Sequence, residues 1–294
     1  MWRLAGIAAS CSLAVVLVTT TGCTGSPETA LERLLESRRL AADLLVQFTT
    51  ASDASNRAVM ADTDEASVAF AREAERATEA VERDRGELAP VLSALGYSNE
   101  TGLLQEFNSR FTEYRALDRN ILQLAVENTN LKAQRMSFGP GQEAADAFRD
   151  SLAAIAPGNP GKDTWRLKAL VATAIAAVRE IQVLQAPHIA EADEAAMTRL
   201  EKRMATEEAS ARRALETLGT ITDPASGPRL AAATAALDRF KDLNAQIIAL
   251  SRRNTNVRSL ALALGQMRTL TAACEDRLHA LQDALAKREF TATR

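Results

Sequence analysis

Apolar residues recur at three- and four-residue steps along nearly the whole chain, the pattern of amphipathic helices. Leu31, Leu34, Ala41, Leu45 and Phe48 share one face of a first helix, opened by Ser26-Pro27 as cap and first helical proline. A turn is expected around Asp62 to Asp64. Val81, Leu88, Leu92 and Leu95 stripe a second helix from about Glu65 to Leu95, which Pro90 should kink or split and Gly96 should end. Phe107, Phe111, Tyr114, Asp118, Ile121, Ala125 and Asn128 step by four and three along a third, capped at Asn99 and reaching about Ser137. Phe138-Gly139-Pro140-Gly141 predicts a break, then a shorter helix from Gln142 to Ala156, and Pro157-Gly158-Asn159-Pro160-Gly161 reads as a linker.

The plan then repeats. Asp163 caps a helix with Leu167, Val171, Ala174, Val178 and Ile181 on one face, and Ala186-Pro187-His188 marks a kink or turn. The next helix reaches about Leu218, and Thr222-Asp223-Pro224 through Pro228 forms a loop. A helix from about Leu230 leads into Asn254-Thr255-Asn256, and the last continues past Gly265 to about Lys287. Residues 114–155 align without a gap on 240–281, with eleven identities in 42 positions. Asn128-Thr129-Asn130 meets Asn254-Thr255-Asn256 in that alignment. The chain reads as one helical unit duplicated in tandem. The fold class expected is all-α, with two antiparallel four-helix modules at 27–156 and 163–288, a linker at 157–162 and a tail at 289–294. Periodicity leaves open whether the modules stack end to end or share long helices.

The N-terminus changes the picture by placing the modules. An apolar run from Leu4 to Val18 follows Arg3 and is short of the ~20 residues that span a bilayer. It fits a secretory leader at 1–22. Gly22-Cys23 after small residues resembles the lipobox of bacterial lipoproteins, which makes Cys23 the lipid-bearing mature N-terminus and 23–26 a tether. An uncleaved anchor and plain secretion are the alternatives. Cys274 would then stand alone as a small buried hydrophobe, or pair with Cys23 if that residue carries no lipid.

Without Arg3 the chain carries 34 basic and 38 acidic residues, a net charge of −4 and no nucleic-acid footprint. Aromatics are only 4% while alanine is abundant, which suits narrow seams between long helices. His188 and His279 are the only histidines, and the Glu-x-x-His spacing of a di-iron bundle site is missing, with Gln185 and Asp276 three residues before them. No metal, cofactor or catalytic residue is expected. The acidic run from Glu73 to Glu82, with arginines interleaved, reads as a solvated helix face.

The repeated triplet carries what specificity there is. Asp118 and Asn244 occupy matching seam positions, and so do Asn128 and Asn254. A buried polar group must find a partner, since each orphan costs about 1–3 kcal/mol. These layers either fix helix register or line a small polar pocket, in which case Asn128, Thr129, Asn254 and Thr255 are the ligand-binding candidates.

Tyr114-Arg115-Ala116-Leu117-Asp118, Ile121-Leu122-Gln123-Leu124-Ala125 and, beyond the break, Ala144-Ala145-Asp146-Ala147-Phe148 resemble the last two helices of bacterial chemoreceptor four-helix-bundle sensor domains. The resemblance covers 27–156 and, by repetition, 163–288. It implies a membrane-tethered, non-enzymatic sensor or ligand-binding bundle on the extracytoplasmic face of the bacterial envelope, often dimeric. No transmembrane signalling part is expected after Arg288. The expected function is binding a small solute or a partner receptor or envelope protein; the alternative is a structural or adaptor lipoprotein with no small ligand.

Overall fold

The computed structural model describes residues 27–155 and 164–289. The leader, Cys23 with its tether, the linker, the Asp163 cap and residues 290–294 of the tail lie outside them. The protein is all-α with long helices, and no strand occurs among the described residues. None of these helices is long and apolar enough to cross a membrane.

Helices α1 (Pro27–Met60) and α2 (Asp64–Leu95) form a hairpin. Thr63 caps α2 by accepting from the Ala66 amide at 3.1 Å. Gly96 ends it at φ +67°, where its own N–H and that of Tyr97 return to the carbonyls of Ser93 and Leu92. Pro90 does not split α2. It and Gly86, four residues back, face solvent, so the carbonyl it leaves without a donor can turn to water. Helix α3 (Ser98–Glu127) follows.

Beyond α3 the expectation fails in an informative way. The helix does not run to Ser137. Asn128 interrupts it at φ +50°, and the chain re-enters a helix at once as α4 (Thr129–Met136). The expected break at Phe138 to Gly141 is instead a π-helical turn, Ser137–Gly141, that hands the chain on to α5 (Gln142–Ala153). A wide turn relieves the clash between a helical proline and the carbonyl four residues earlier. The second copy nonetheless makes the same turn with Gln266 where Pro140 stands. There α6 (Thr164–Ala190) passes through Pro187, α7 spans Glu194–Ile221, and a 3-10 turn at Pro224–Ser226 precedes α8 (Gly227–Arg253). Asn254 at φ +54°, α9 (Thr255–Leu262), a π turn at Ala263–Met267 and α10 (Arg268–Ala286) repeat the sequence of events.

Because neither interruption reverses the chain, α3–α4–α5 and α8–α9–α10 are two long rods. The fourth helix of each copy leaves its own module: α10 packs on α3 and α1, and α5 packs on α8 and α6. The divisions 27–156 and 163–288 therefore mark the sequence repeat and not the packing units. One bundle is α1, α2, α3 and α10; the other is α6, α7, α8 and α5. The first core holds Phe48, Phe107, Phe111 and Tyr114, with ring centroids 5.0–6.3 Å apart, and Cys274, Leu278 and Leu281 close it from α10. Burial pushes the Cys274 thiol up to about 12. The second core is lighter, with Phe148 and Phe240 among alanines such as Ala174, Ala211 and Ala233.

Candidate functional site

The rods meet at the repeated triplets. The first amides of a new helix lack intrahelical acceptors, and here the partner rod supplies them. Thr129 N–H donates to Thr255 Oγ1 and Thr255 N–H to Thr129 Oγ1, both at 3.1 Å. Asn130 N–H donates to Asn256 Oδ1 and Asn256 N–H to Asn130 Oδ1, again both at 3.1 Å. Each helix start is thus capped by the other copy's side chains. The amides complete the clasp: Asn130 Nδ2 donates to Asn254 Oδ1, and Asn256 Nδ2 to Asn128 Oδ1, at 2.8 Å each. The symmetry then lapses. Asn130 Nδ2 also donates to the Ile189 carbonyl at 2.6 Å and Asn254 Nδ2 to the Glu191 carbonyl at 2.8 Å, whereas the buried Asn128 Nδ2 has no partner among the described residues.

The four ligand-binding candidates, Asn128, Thr129, Asn254 and Thr255, are therefore brought together and buried, with their bonds made mainly to the partner triplet. None of them lines the cavity described below. In the fold they join the starts of α4 and α9.

Two further polar layers flank the clasp. In the first bundle Ser55 Oγ donates to Asp118 at 2.5 Å; the matching pair in the second is Gln185 Nε2 to Asn244 Oδ1 at 2.8 Å. Burial pushes the Asp118 carboxyl up to about 6, against the opposing effect of the Ser55 bond. Nearer the crossing, Ser67 Oγ lies 3.1 Å from the carbonyls of both Ala58 and Ala125. The counterpart is larger. Ser251 Oγ donates to the His188 carbonyl and lies 2.8 Å from His188 Nδ1, and His188 Nε2 lies 2.8 Å from Glu201. Arg252 holds Glu201 with bonds of 2.7 and 2.9 Å and keeps its carboxyl below the usual range. The order Ser-His-Glu is that of a hydrolytic relay, yet Ser251 and His188 have no exposed surface. The three side chains tie α6, α7 and α8 together.

A cavity of about 430 Å³ opens between the end of α1 and the second rod. Val59 and Met60 from α1 face Leu260, Leu264 and Met267 from the rod. Ser52, Asn56, Arg268, Thr271 and Glu275 supply its polar groups. The volume lies within the ~300–1,000 Å³ of small-molecule sites, and an apolar lining with a few polar groups is their usual chemistry. Met60 and Leu264 are 71% and 68% exposed. Arg268 has no carboxylate partner among the described residues.

The second bundle closes the equivalent place. Met60 ends α1 as Ala190 ends α6, so positions on α1 match those 130 further along α6. There Gln182 Nε2 donates to Gln142 Oε1 at 2.9 Å, and Arg179 bridges to Asp146 at 3.1 Å. Arg149 adds a bond to Asp146 at 2.7 Å. In the open copy the matching residues are Ser52, Arg268, Thr49, Ala272 and Glu275, which make none of these ties. What the two copies share does not point to this cavity. The signal lay in their divergence, at Gln142 against Arg268, Asp146 against Ala272 and Arg149 against Glu275.

Neither a protein-family model nor a curated protein matches the chain.

Proposed function

We propose that the protein is a binding module, an envelope-anchored helical bundle on the extracytoplasmic face that takes up a small solute beside its crossing rods. One observation carries the reading. Of two equivalent places in a duplicated fold, one is laced shut by Gln142, Gln182, Asp146 and Arg179 and the other is left open and apolar. The sensor-like resemblance of the sequence agrees with it. A structural or adaptor role is the second reading, favoured by the mutual capping of the triplets, which leaves them little capacity for a ligand.

A neutral, environment-sensitive dye such as Nile red tests the open site. Its fluorescence should rise on mixing with the protein, and Leu264→Asp should abolish the rise. That position is exposed, so the change puts a charge on the cavity wall without disturbing the core. A rise of equal size in Leu264→Asp would turn the assignment to the structural reading. The anchor is tested separately by metabolic labelling with a fatty acid. Label should enter the wild type and be lost in Cys23→Ser; label that persists in the variant would refute acylation at that residue.

A further inference from the structure

We infer that the open cavity takes a free amphiphilic monocarboxylate, an apolar chain of medium length ending in one anionic group, with Arg268 as the anion's partner. The inference rests on the solute-binding reading above and names the solute's chemistry. Helices α1 and α10 run antiparallel, since Arg38 bonds the carbonyls of Leu285 and Ala286 while Gln282 bonds that of Ala41. Lining residues of α1 and of the second rod can therefore be ordered along one axis. Met60, Val59, Leu260 and Leu264 lie toward the crossing and form the apolar end. Asn56 and Arg268 come next, then Ser52 and Thr271, and Glu275 lies at the far end.

The charges sort by that order. Arg268 borders the apolar wall, and its guanidinium offers paired donors to a carboxylate. Glu275 is seven residues further on, about 10 Å along the helix, and so does not stand beside the anion. From Arg268 back to Leu260 the helix advances about 12 Å, room for an extended acyl chain of medium length. The divergence between copies points the same way. The position that is Gln142 in the closed copy, bonded across to Gln182, is the cation Arg268 in the open one, and Asp146, whose carboxylate would repel an anion there, is replaced by Ala272.

Titration calorimetry of the purified protein with octanoate and with octanol, both below micelle-forming concentrations, tests the inference. Octanoate should bind more tightly than octanol. Arg268→Gln should weaken octanoate about ten- to a hundredfold, the loss of a charged hydrogen bond, and leave octanol unchanged. Leu264→Asp should weaken both. Octanol binding as tightly as octanoate, with both lost in Leu264→Asp, would overturn the carboxylate assignment and leave the solute site standing. Binding of neither would overturn both. Octanoate binding that survives in both variants would place it elsewhere on the molecule. Vesicles of anionic phospholipid that bind in an Arg268-dependent manner, with octanoate inert, would replace the free ligand by a membrane lipid.

Discussion

Asn254→Val should lower the stability of the protein by about 3–6 kcal/mol, a large share of the ~5–15 kcal/mol that holds a domain folded. Two costs combine. Asn254 sits at φ +54°, where a left-handed backbone costs an ordinary residue about 1–2 kcal/mol and a β-branched one more. Valine also strands the Glu191 carbonyl, at about 1–3 kcal/mol, and takes from Asn130 Nδ2 one of its two acceptors, the Ile189 carbonyl remaining. Asn128→Val bears the same backbone cost at φ +50° but strands only Asn256 Nδ2, because its own Nδ2 has no partner to lose. It should therefore be the milder change by about 0.5–1.5 kcal/mol, the worth of the one further hydrogen bond that Asn254 makes. Glycine at either position separates the two costs, since it accepts the left-handed backbone and still deletes the amide. Denaturant unfolding of the four variants measures all of this. Equal losses for Asn128→Val and Asn254→Val would contradict the asymmetry of the clasp.

Asp118→Asn should stabilise the protein above pH 6 by up to about 3 kcal/mol. The folded carboxyl titrates near 6, above the ordinary 3.8, so the fold favours its protonated form. Its contribution is fully present below about pH 4 and is lost as pH rises through 6. The difference between 3.8 and about 6 is worth roughly 3 kcal/mol. Glu75 adds to the cost of the ionised form, and Tyr114 shares its surroundings on the same helix. Asparagine removes the charge, keeps an oxygen for the Ser55 hydroxyl, and copies what the second bundle already has at Asn244. Unfolding free energies at pH 4 and pH 7.5 decide the matter: the gain should appear at the higher pH and nearly vanish at the lower. A gain of the same size at both would show that the side chain acts through packing rather than charge.

The helices themselves were legible. Leu34, Ala41 and Phe48, and likewise Leu167, Ala174, Val178 and Ile181, are buried as their spacing requires, because 3.6-residue periodicity is a local property of the chain. Gly96 ends α2 for an equally local reason. The topology was not legible. Asn128 looked like one more seam residue, and nothing nearby reveals that its backbone turns left-handed; that conformation is held by the partner triplet, 126 residues away. Phe138-Gly139-Pro140-Gly141 looked like a helix break because glycine and proline disfavour a regular α-helix, but a π turn lets the helix continue. Once the chain continues, α5 must find its neighbours in the other copy. Internal similarity shows that two units are alike and says nothing of which helix completes which core. In the sequence His188 marks only a kink and a failed metal-ligand spacing, and its part in joining α6, α7 and α8 depends on Ser251 and Glu201 arriving from elsewhere.

The exchange of fourth helices dictates when this protein can finish folding. The first bundle is begun by the earliest described residues and closed by nearly the last, as the bonds from Arg38 to Leu285 and to Arg288 span 247 and 250 residues. A nascent chain emerges from its N-terminus at about 5–20 residues per second. For many seconds after α3 is made, the faces of Phe107, Phe111 and Tyr114 that await α10 have nothing to pack against, whereas the second bundle has all four of its helices once α8 appears. The half of the molecule synthesised first is the half completed last.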